Sequence, residues 1–269
     1  MSVHDELGMR MKEFYENIPK TKLMRRCPVA IRIDGKAFHS FTKGFQKPFD
    51  DILIKSMQET MKYLCENIQG CVLGYHQSDE ITLILLDYQT LQTDAWFGYE
   101  VQKLCSIAAS MATMAFNKVF RNTINEYQME LMKSDIMFIQ DPYDVYVNKF
   151  DQAMFDARCF NIPKEEVTNL LYWRQDDASR NSVQMVGQAH FSHSELHKKS
   201  RSDIQNMLME THGINWNNFE THKKRGSCCI RKTEEVNGVE RSKWVIDKEI
   251  PIFKGEGREY VEKLIWVGE

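Results

Sequence analysis

The sequence predicts an α/β fold of the α+β kind: an antiparallel, ferredoxin-like sheet with packed helices and a C-terminal helical and hairpin extension. Three observations lead there. Four runs rich in β-branched and aliphatic residues stand at 28–35, 71–76, 81–86 and 155–163, with helical periodicity between the first and second and between the third and fourth. The second and third runs are joined only by Gln77-Ser-Asp-Glu80, which reads as a tight hairpin. With the helix between the first two, the order becomes strand, helix, strand, tight turn, strand.

Each element has its own signal. Residues 5–20 carry Leu7, Met11, Phe14, Tyr15 and Ile18 at helical spacing, ending before Pro19. The strand at 28–35 ends on Gly35, and a polar stretch with Gly44 and Pro48 leads into a helix over 50–67. There Asp50 and Asp51 are candidate N-caps, and Ile52, Ile54, Met57, Met61 and Leu64 form an apolar stripe. Residues 95–120, dense in Ala, Met and Ser, are expected as a buried helix, whereas 122–148 reads as a loop or insertion. A helix begins at 164 after the fourth strand, and two helices with a break at Gly213 fill most of 190–215. A basic hairpin over 225–247 turns at Asn237-Gly238. The expected division is a palm-like catalytic body, 1–180, and an extension, 181–269, packed intimately on it.

With 269 residues, 42% of them hydrophobic and 27% charged, the chain can bury a core without disulfides or a structural metal. Seven cysteines, an odd number without a Cys-x-x-Cys pair, read as reduced thiols and a cytoplasmic location. No apolar run approaches the length of a membrane helix, and Met1-Ser-Val-His-Asp-Glu lacks the basic and apolar regions of a signal peptide. A net charge of −3 argues mildly against a nucleic-acid partner. Phosphate binding needs a local basic surface rather than a basic total, however. Lys198, Lys199, Arg201, Lys223, Lys224 and Arg225 supply one, within residues 190–232, which also hold five of the eight histidines. A merely solvated surface is the competing reading.

The chemistry-bearing residues stand at the strand ends. Asp34 closes the first strand and Asp79 sits at the hairpin tip, so neighbouring strands would bring both carboxylates to one edge. Paired carboxylates there suit two Mg²⁺ ions, whose remaining ligands come from substrate phosphates. Gly35 lets a carbonyl and a triphosphate approach closely, and Glu80 could orient the metal ligands. Taken singly, Asp34-Gly35 and Asp79-Glu80 are also ordinary turn compositions. Polymerase palms and nucleotide cyclases use this order of elements for metal-assisted phosphoryl chemistry.

Five motifs then resemble, in order, those of the tRNA-His guanylyltransferase family, over about residues 28–230. They are Arg32-Ile-Asp-Gly-Lys-Ala-Phe-His39, Lys47-Pro-Phe-Asp50, Gly74-Tyr-His-Gln-Ser-Asp-Glu80, Phe155-Asp-Ala-Arg158 and Tyr172-Trp-Arg-Gln175. That family adds nucleotides to an RNA 5′ end, 3′ to 5′, after activation by ATP or from a 5′-triphosphate. The resemblance implies Asp34, the Gly35 carbonyl and Asp79 as Mg²⁺ ligands, with Glu80 beside them in the catalytic motif. It implies nucleotide contacts from Arg32, Lys36, Phe38, His39, Lys47, Asp50, Ser78 and Asn181. Lys103 and Arg158 match positions tied to activation and pyrophosphate. ATP, GTP or other nucleoside triphosphates are the implied substrates, tRNA the partner, and a homotetramer the assembly. Ser179, Ile204 and Phe49 stand where eukaryotic members have a histidine, a lysine and an asparagine. Ser179-Arg-Asn-Ser182, Phe191-Ser-His-Ser-Glu-Leu-His197 and Gly213-Ile-Asn-Trp-Asn217 resemble the bacterial and archaeal guanylyltransferase-like branch, which implies template-dependent repair of 5′-truncated tRNA.

Other readings are a dedicated tRNA-His guanylyltransferase, a palm-fold cyclase and a non-catalytic RNA-binding module. Lys47-Pro-Phe-Asp50 and Tyr172-Trp-Arg-Gln175 disfavour the cyclase, and an Arg32-Ile-Asp34 strand end disfavours the module. Phe38 as core, Lys103 as a solvated charge and Arg158 as an ion-pair partner are the plain alternatives. His190, His193 and His197 could share a helix face and bind zinc, but no Cys or carboxylate signature accompanies them.

Overall fold

The computed structural model describes residues 3–133, 140–236 and 239–267. Strands β1 (Val29–Gly35), β2 (Cys71–Gln77), β3 (Glu80–Leu85), β4 (Phe155–Asn161), β5 (Ser227–Val236) and β6 (Val239–Asp247) form one sheet. Its order is β4-β1-β3-β2-β5-β6, and every neighbouring pair is antiparallel. The Asn237-Gly238 turn lies outside the described residues.

Alternation along the strands sends side chains to two cores. Ile31, Ile33, Ile81 and Leu83 meet α3 (Asp51–Asn67) and α4 (Val101–Lys133), including Met57, Met61, Phe116 and Phe120. Ala30, Ile84, Leu73 and Tyr75 face the other way, onto α6 (Lys164–His190) and α10 (Glu259–Ile265) through Val167, Leu171, Val261 and Ile265. Arg32 and Asp34, two and four residues on from Ala30, therefore share the α6 face. A third core joins Val183 and Val186 of α6 to Leu196 of α7 (His193–Leu196) and to Ile204 and Leu208 of α8 (Arg201–His212).

Local signals explain the ends. Asp50 caps α3, accepting the Leu53 N–H at 2.8 Å. Ser192 with Glu195 and Ser200 with Asp203 form capping boxes on α7 and α8, and Gly213, at φ 66°, terminates α8.

Four expectations need correction. The segment from 122 is not a loop: α4 continues to Lys133, because Phe116, Phe120 and Ile124 extend its buried stripe, and a further helix, α5, spans Gln140–Val147. That long helix starts at Val101 rather than near 95, since a 3₁₀ turn with left-handed Phe97 and Gly98 precedes it. The first helix divides into α1 (Val3–Met11) and a π turn over Lys12–Glu16. The remaining helices are short: α2 (Phe38–Phe41) and α9 (Thr221–Arg225). His190, His193 and His197 share no helix face, because α6 ends at His190 and Ser192 caps a new helix.

Candidate active site

Asp34 pairs with Glu80 across β1 and β3, and the Gly35 N–H donates to the Asp79 carbonyl at 3.1 Å. The hairpin tip is thus tied to the end of β1, bringing the two aspartates together. Burial raises the Asp34 carboxyl above its ordinary range, aided by nearby Glu80 and Asp156. Burial likewise raises Asp79, and the Asp34 charge adds to the effect. Two half-buried carboxylates that resist joint ionisation favour a cation between them. Among the described residues no three His, Cys, Asp or Glu side chains gather as a complete metal cage. An aspartate pair is a partial oxygen shell, which suits Mg²⁺ completed by phosphate oxygens.

The turn itself is held from beneath. Ser78 adopts φ 51°, and its carbonyl accepts from His76 Nε2 at 3.0 Å. A carbonyl can only accept, so this ring nitrogen carries the proton. Nδ1 then accepts from the Ser227 hydroxyl at 3.4 Å, whose oxygen accepts from Gln58 at 3.2 Å. Burial lowers the His76 pKa to about 4. The folded state therefore binds this proton less tightly than the unfolded chain, and the stability His76 contributes is complete above about pH 6.5 and lost as pH falls toward 4. Thermal unfolding between pH 7 and 4.5 should show a loss approaching about 3 kcal/mol that His76→Gln reduces. An unchanged pH slope in the variant would contradict the tautomer chain.

Gly35 is required by close packing: a Cβ there would meet the Phe38 ring at 2.3 Å. Phe38 is buried, 4.9 Å from Phe41 and 5.1 Å from Phe155 between ring centroids, so it belongs to the core while also lining the site. Beside it lies a cleft of about 560 Å³. Gly35, Phe38, His39, Lys47, Asp50, Ser78 and Asp79 line it, with Met185 and Gln188 of α6 on the far wall. Lys47 and His39 are exposed, His39 Nε2 lying 3.0 Å from the Ser40 hydroxyl. Asp50 is buried and fully engaged, accepting from Leu53 N–H, Gln46 N–H at 3.0 Å and the Tyr146 hydroxyl at 2.7 Å. Lys36 is exposed, and Asn181 lines a smaller adjoining cavity.

On the α6 face a chain of alternating charges supports the pair. Glu80 is buried, with one oxygen bonded to Arg32 at 2.5 Å and the other to Arg174 at 2.7 Å. Arg174 continues to Asp177 at 3.0 Å, and Asp177 to Arg180 at 2.8 Å. Both Glu80 oxygens are therefore held by guanidiniums. Sequence reasoning missed Arg174, His76 and Gln175 individually. Gln175 fastens the C-terminal segment, donating to the Pro251 carbonyl at 2.8 Å and accepting the Phe253 N–H at 2.9 Å. The Tyr172-Trp-Arg-Gln175 motif was visible, but only the fold lays α6 across β3.

Arg158, opposite Arg32 in register, is mostly exposed and pairs with Asp156 at 3.3 Å. Lys103 stands apart, near the start of α4, paired with Glu100 at 3.9 Å and over Phe97. The basic C-terminal set divides. Lys198 and Lys199 are exposed, whereas Arg201 pairs with Asp176 at 3.1 Å and Lys223 with Asp51 at 2.7 Å. Lys224 is turned inward, its ammonium donating to the Asn217 carbonyl at 2.6 Å, and Arg225 is half-buried.

An antiparallel palm-like sheet with a carboxylate pair beside a basic-rimmed cleft defines a nucleotidyltransferase of the polymerase-palm type. The family profile described as tRNAHis guanylyltransferase (Thg1) matches residues 8–163, and the chain belongs to that family. It is 42% identical to a bacterial tRNA(His) guanylyltransferase (Thg1)-like protein in complex with ATP, with a TM-score of 0.80 over 97% of this chain and 100% of that one. Against a bacterial Thg1-like protein in complex with GTP the identity is 40% and the TM-score 0.76, over 97% and 100%. The Saccharomyces cerevisiae tRNA(His) guanylyltransferase is 27% identical over 79% of this chain and 86% of its own length. Among the described residues no helix is long and apolar enough to cross a membrane.

Proposed function

We propose that this protein is a template-dependent 3′–5′ nucleotidyltransferase that restores nucleotides missing from the 5′ end of tRNA. The observation that carries the reading is the Asp34–Asp79 pair at the hairpin tip, beside the cleft lined by Lys47 and His39. The bacterial relatives with ATP and with GTP support nucleoside triphosphates as substrates. Asp34, Asp79 and the Gly35 carbonyl are the ligands for two Mg²⁺ ions, which when bound supply charge neutralisation to the triphosphate. Lys47 and Arg32 add cationic charge near the phosphates, and Ser78 shapes the turn. Arg158 serves activation of the 5′ end and pyrophosphate handling, a role that Lys103, standing apart from the carboxylate pair, shares by family resemblance only. Residues 1–180 hold most of the chemistry, and 181–269, packed intimately on them through the continuous α6, add RNA contacts. Seven unbridged cysteines suit a cytoplasmic enzyme. A homo-oligomer, a tetramer by family resemblance, is the expected assembly.

The alternative, a dedicated tRNA-His guanylyltransferase, is the named activity of the yeast relative. Two observations favour repair. Ile204 is fully buried against Gly187 and Leu196, where a lysine would strand a charge, and the Ser179 hydroxyl donates back to the Gln175 carbonyl of its own helix. The test is incubation with 5′-truncated, 5′-triphosphorylated tRNA, four nucleoside triphosphates and Mg²⁺. Extension by one nucleotide at the 5′ end is expected, and an inert protein would overturn the reading.

The exposed lysines give a second expectation. Lys198→Gln with Lys199→Gln should weaken tRNA binding and reduce the slope of log affinity against log salt by about two units, roughly one per lost phosphate contact. Lys224→Gln, at an inward position, should leave that slope unchanged. Equal slopes in wild type and the double variant would make Lys198 and Lys199 ordinary solvated charges.

A further inference from the structure

We propose that Trp173 is a stacking platform for the terminal base of the RNA end being extended, an inference that rests on the functional reading above. The indole belongs to none of the three cores and is 52% exposed, although it stands on a helix whose neighbours Leu171 and Arg174 are buried. Its orientation is nonetheless fixed. The Arg174 guanidinium lies 4.6 Å from the ring centroid and that of Arg32 5.5 Å, and both arginines are anchored on buried Glu80. A large aromatic ring held by immobile partners, yet open to solvent, is preorganised for a flat ligand.

The surroundings define that ligand's chemistry. Arg180, two helical turns beyond Trp173, has a side chain 53% exposed, and Arg158 on β4 is 56% exposed opposite Arg32. An exposed indole on the same helix as a half-exposed Arg180, with Arg158 one strand beyond Arg32, suits a nucleobase carrying phosphates, since stacking is tolerant of base identity and arginine matches phosphate geometry. That tolerance fits an enzyme that must accept any terminal base pair. Arg32, 5.5 Å from the Trp173 ring, shares the α6 face of β1 with Asp34, so a base stacked on Trp173 lies on the face of the sheet that carries this carboxylate.

The base could also belong to an ATP used for 5′ activation, and steady-state kinetics separate the two sources. Trp173→Ala, Trp173→Leu and Trp173→Phe are measured on 5′-triphosphorylated truncated tRNA, and on the 5′-monophosphorylated form with ATP varied. Stacking predicts a KM for RNA raised about tenfold in the Ala and Leu variants, restored in Phe, with KM for nucleotides and the melting temperature little changed. Rescue by Leu as well as Phe, or a loss confined to kcat, assigns Trp173 a packing role and overturns the proposal. A KM change for ATP alone moves the base to the activating nucleotide and also overturns it. If wild type extends RNA and Trp173→Ala matches it, this proposal fails while the functional reading stands. A wild-type protein inert on RNA removes both.

Discussion

Replacing either Asp34 or Asp79 with alanine will abolish nucleotide addition and leave the fold no less stable. The two carboxylates are the anionic oxygen donors that the β1 end and the hairpin tip bring together, and on the proposed function the charge of a triphosphate needs them through the cations they would hold. Several kcal/mol of transition-state stabilisation is at stake, so single-turnover addition should fall roughly a thousandfold or more. The stability half follows from sign. Burial and mutual repulsion raise both carboxyls in the folded state. A carboxyl raised on folding stabilises the fold only below its unfolded pKa, and that contribution is lost as pH rises through the folded value. At pH 7 either aspartate is thus an electrostatic burden, and its removal should keep or raise the melting temperature in metal-free buffer. Near wild-type rates in both variants at ordinary Mg²⁺ would contradict the site.

Removing Arg174 should do the reverse, destabilising the fold as well as the chemistry. Arg174→Met leaves one oxygen of buried Glu80 without its partner and frees Asp177 from its helix-turn pairing. Arg32 still holds the other Glu80 oxygen, so the loss is that of one charged hydrogen bond, about 1.5–3 kcal/mol, roughly 5 °C in melting temperature for a chain of this size. Adding Glu80→Gln should recover part of that stability, because the buried carboxylate that lost its second guanidinium is gone, while activity stays low. Arg174→Lys should recover less than half, since an ammonium cannot match the fork that spans Glu80 and Asp177. Additive losses in the double variant would mean that Arg174 and Glu80 do not act as a pair.

Much of the scaffold was legible because it obeys local rules. Runs of β-branched and aliphatic residues marked β1 and β3, Asp50 announced its cap, and the short Gln77-Ser-Asp-Glu80 link fixed the hairpin and hence the Asp34–Asp79 encounter. The extent of α4 was hidden because its buried stripe fades after Ile124 into a polar, exposed helix. Support of the site was less legible still. His76 reads as one strand residue among others, and only the pairing of β2 with β5 sets Ser227 against its ring. Arg174 is separated by 94 positions from Glu80, a partner that no periodicity could name. The basic stretch misled in part, because charge counting cannot distinguish exposed Lys198 from inward Lys224.

The central claim is that pairing with the opposite strand, rather than the protein, chooses the nucleotide. It is tested by single-turnover addition to tRNAs lacking one 5′ nucleotide, with the opposing base varied through all four identities. The account predicts addition of the complement each time, on several tRNA species, without dependence on a His anticodon. Addition of G whatever the opposing base, confined to tRNA-His, would contradict it.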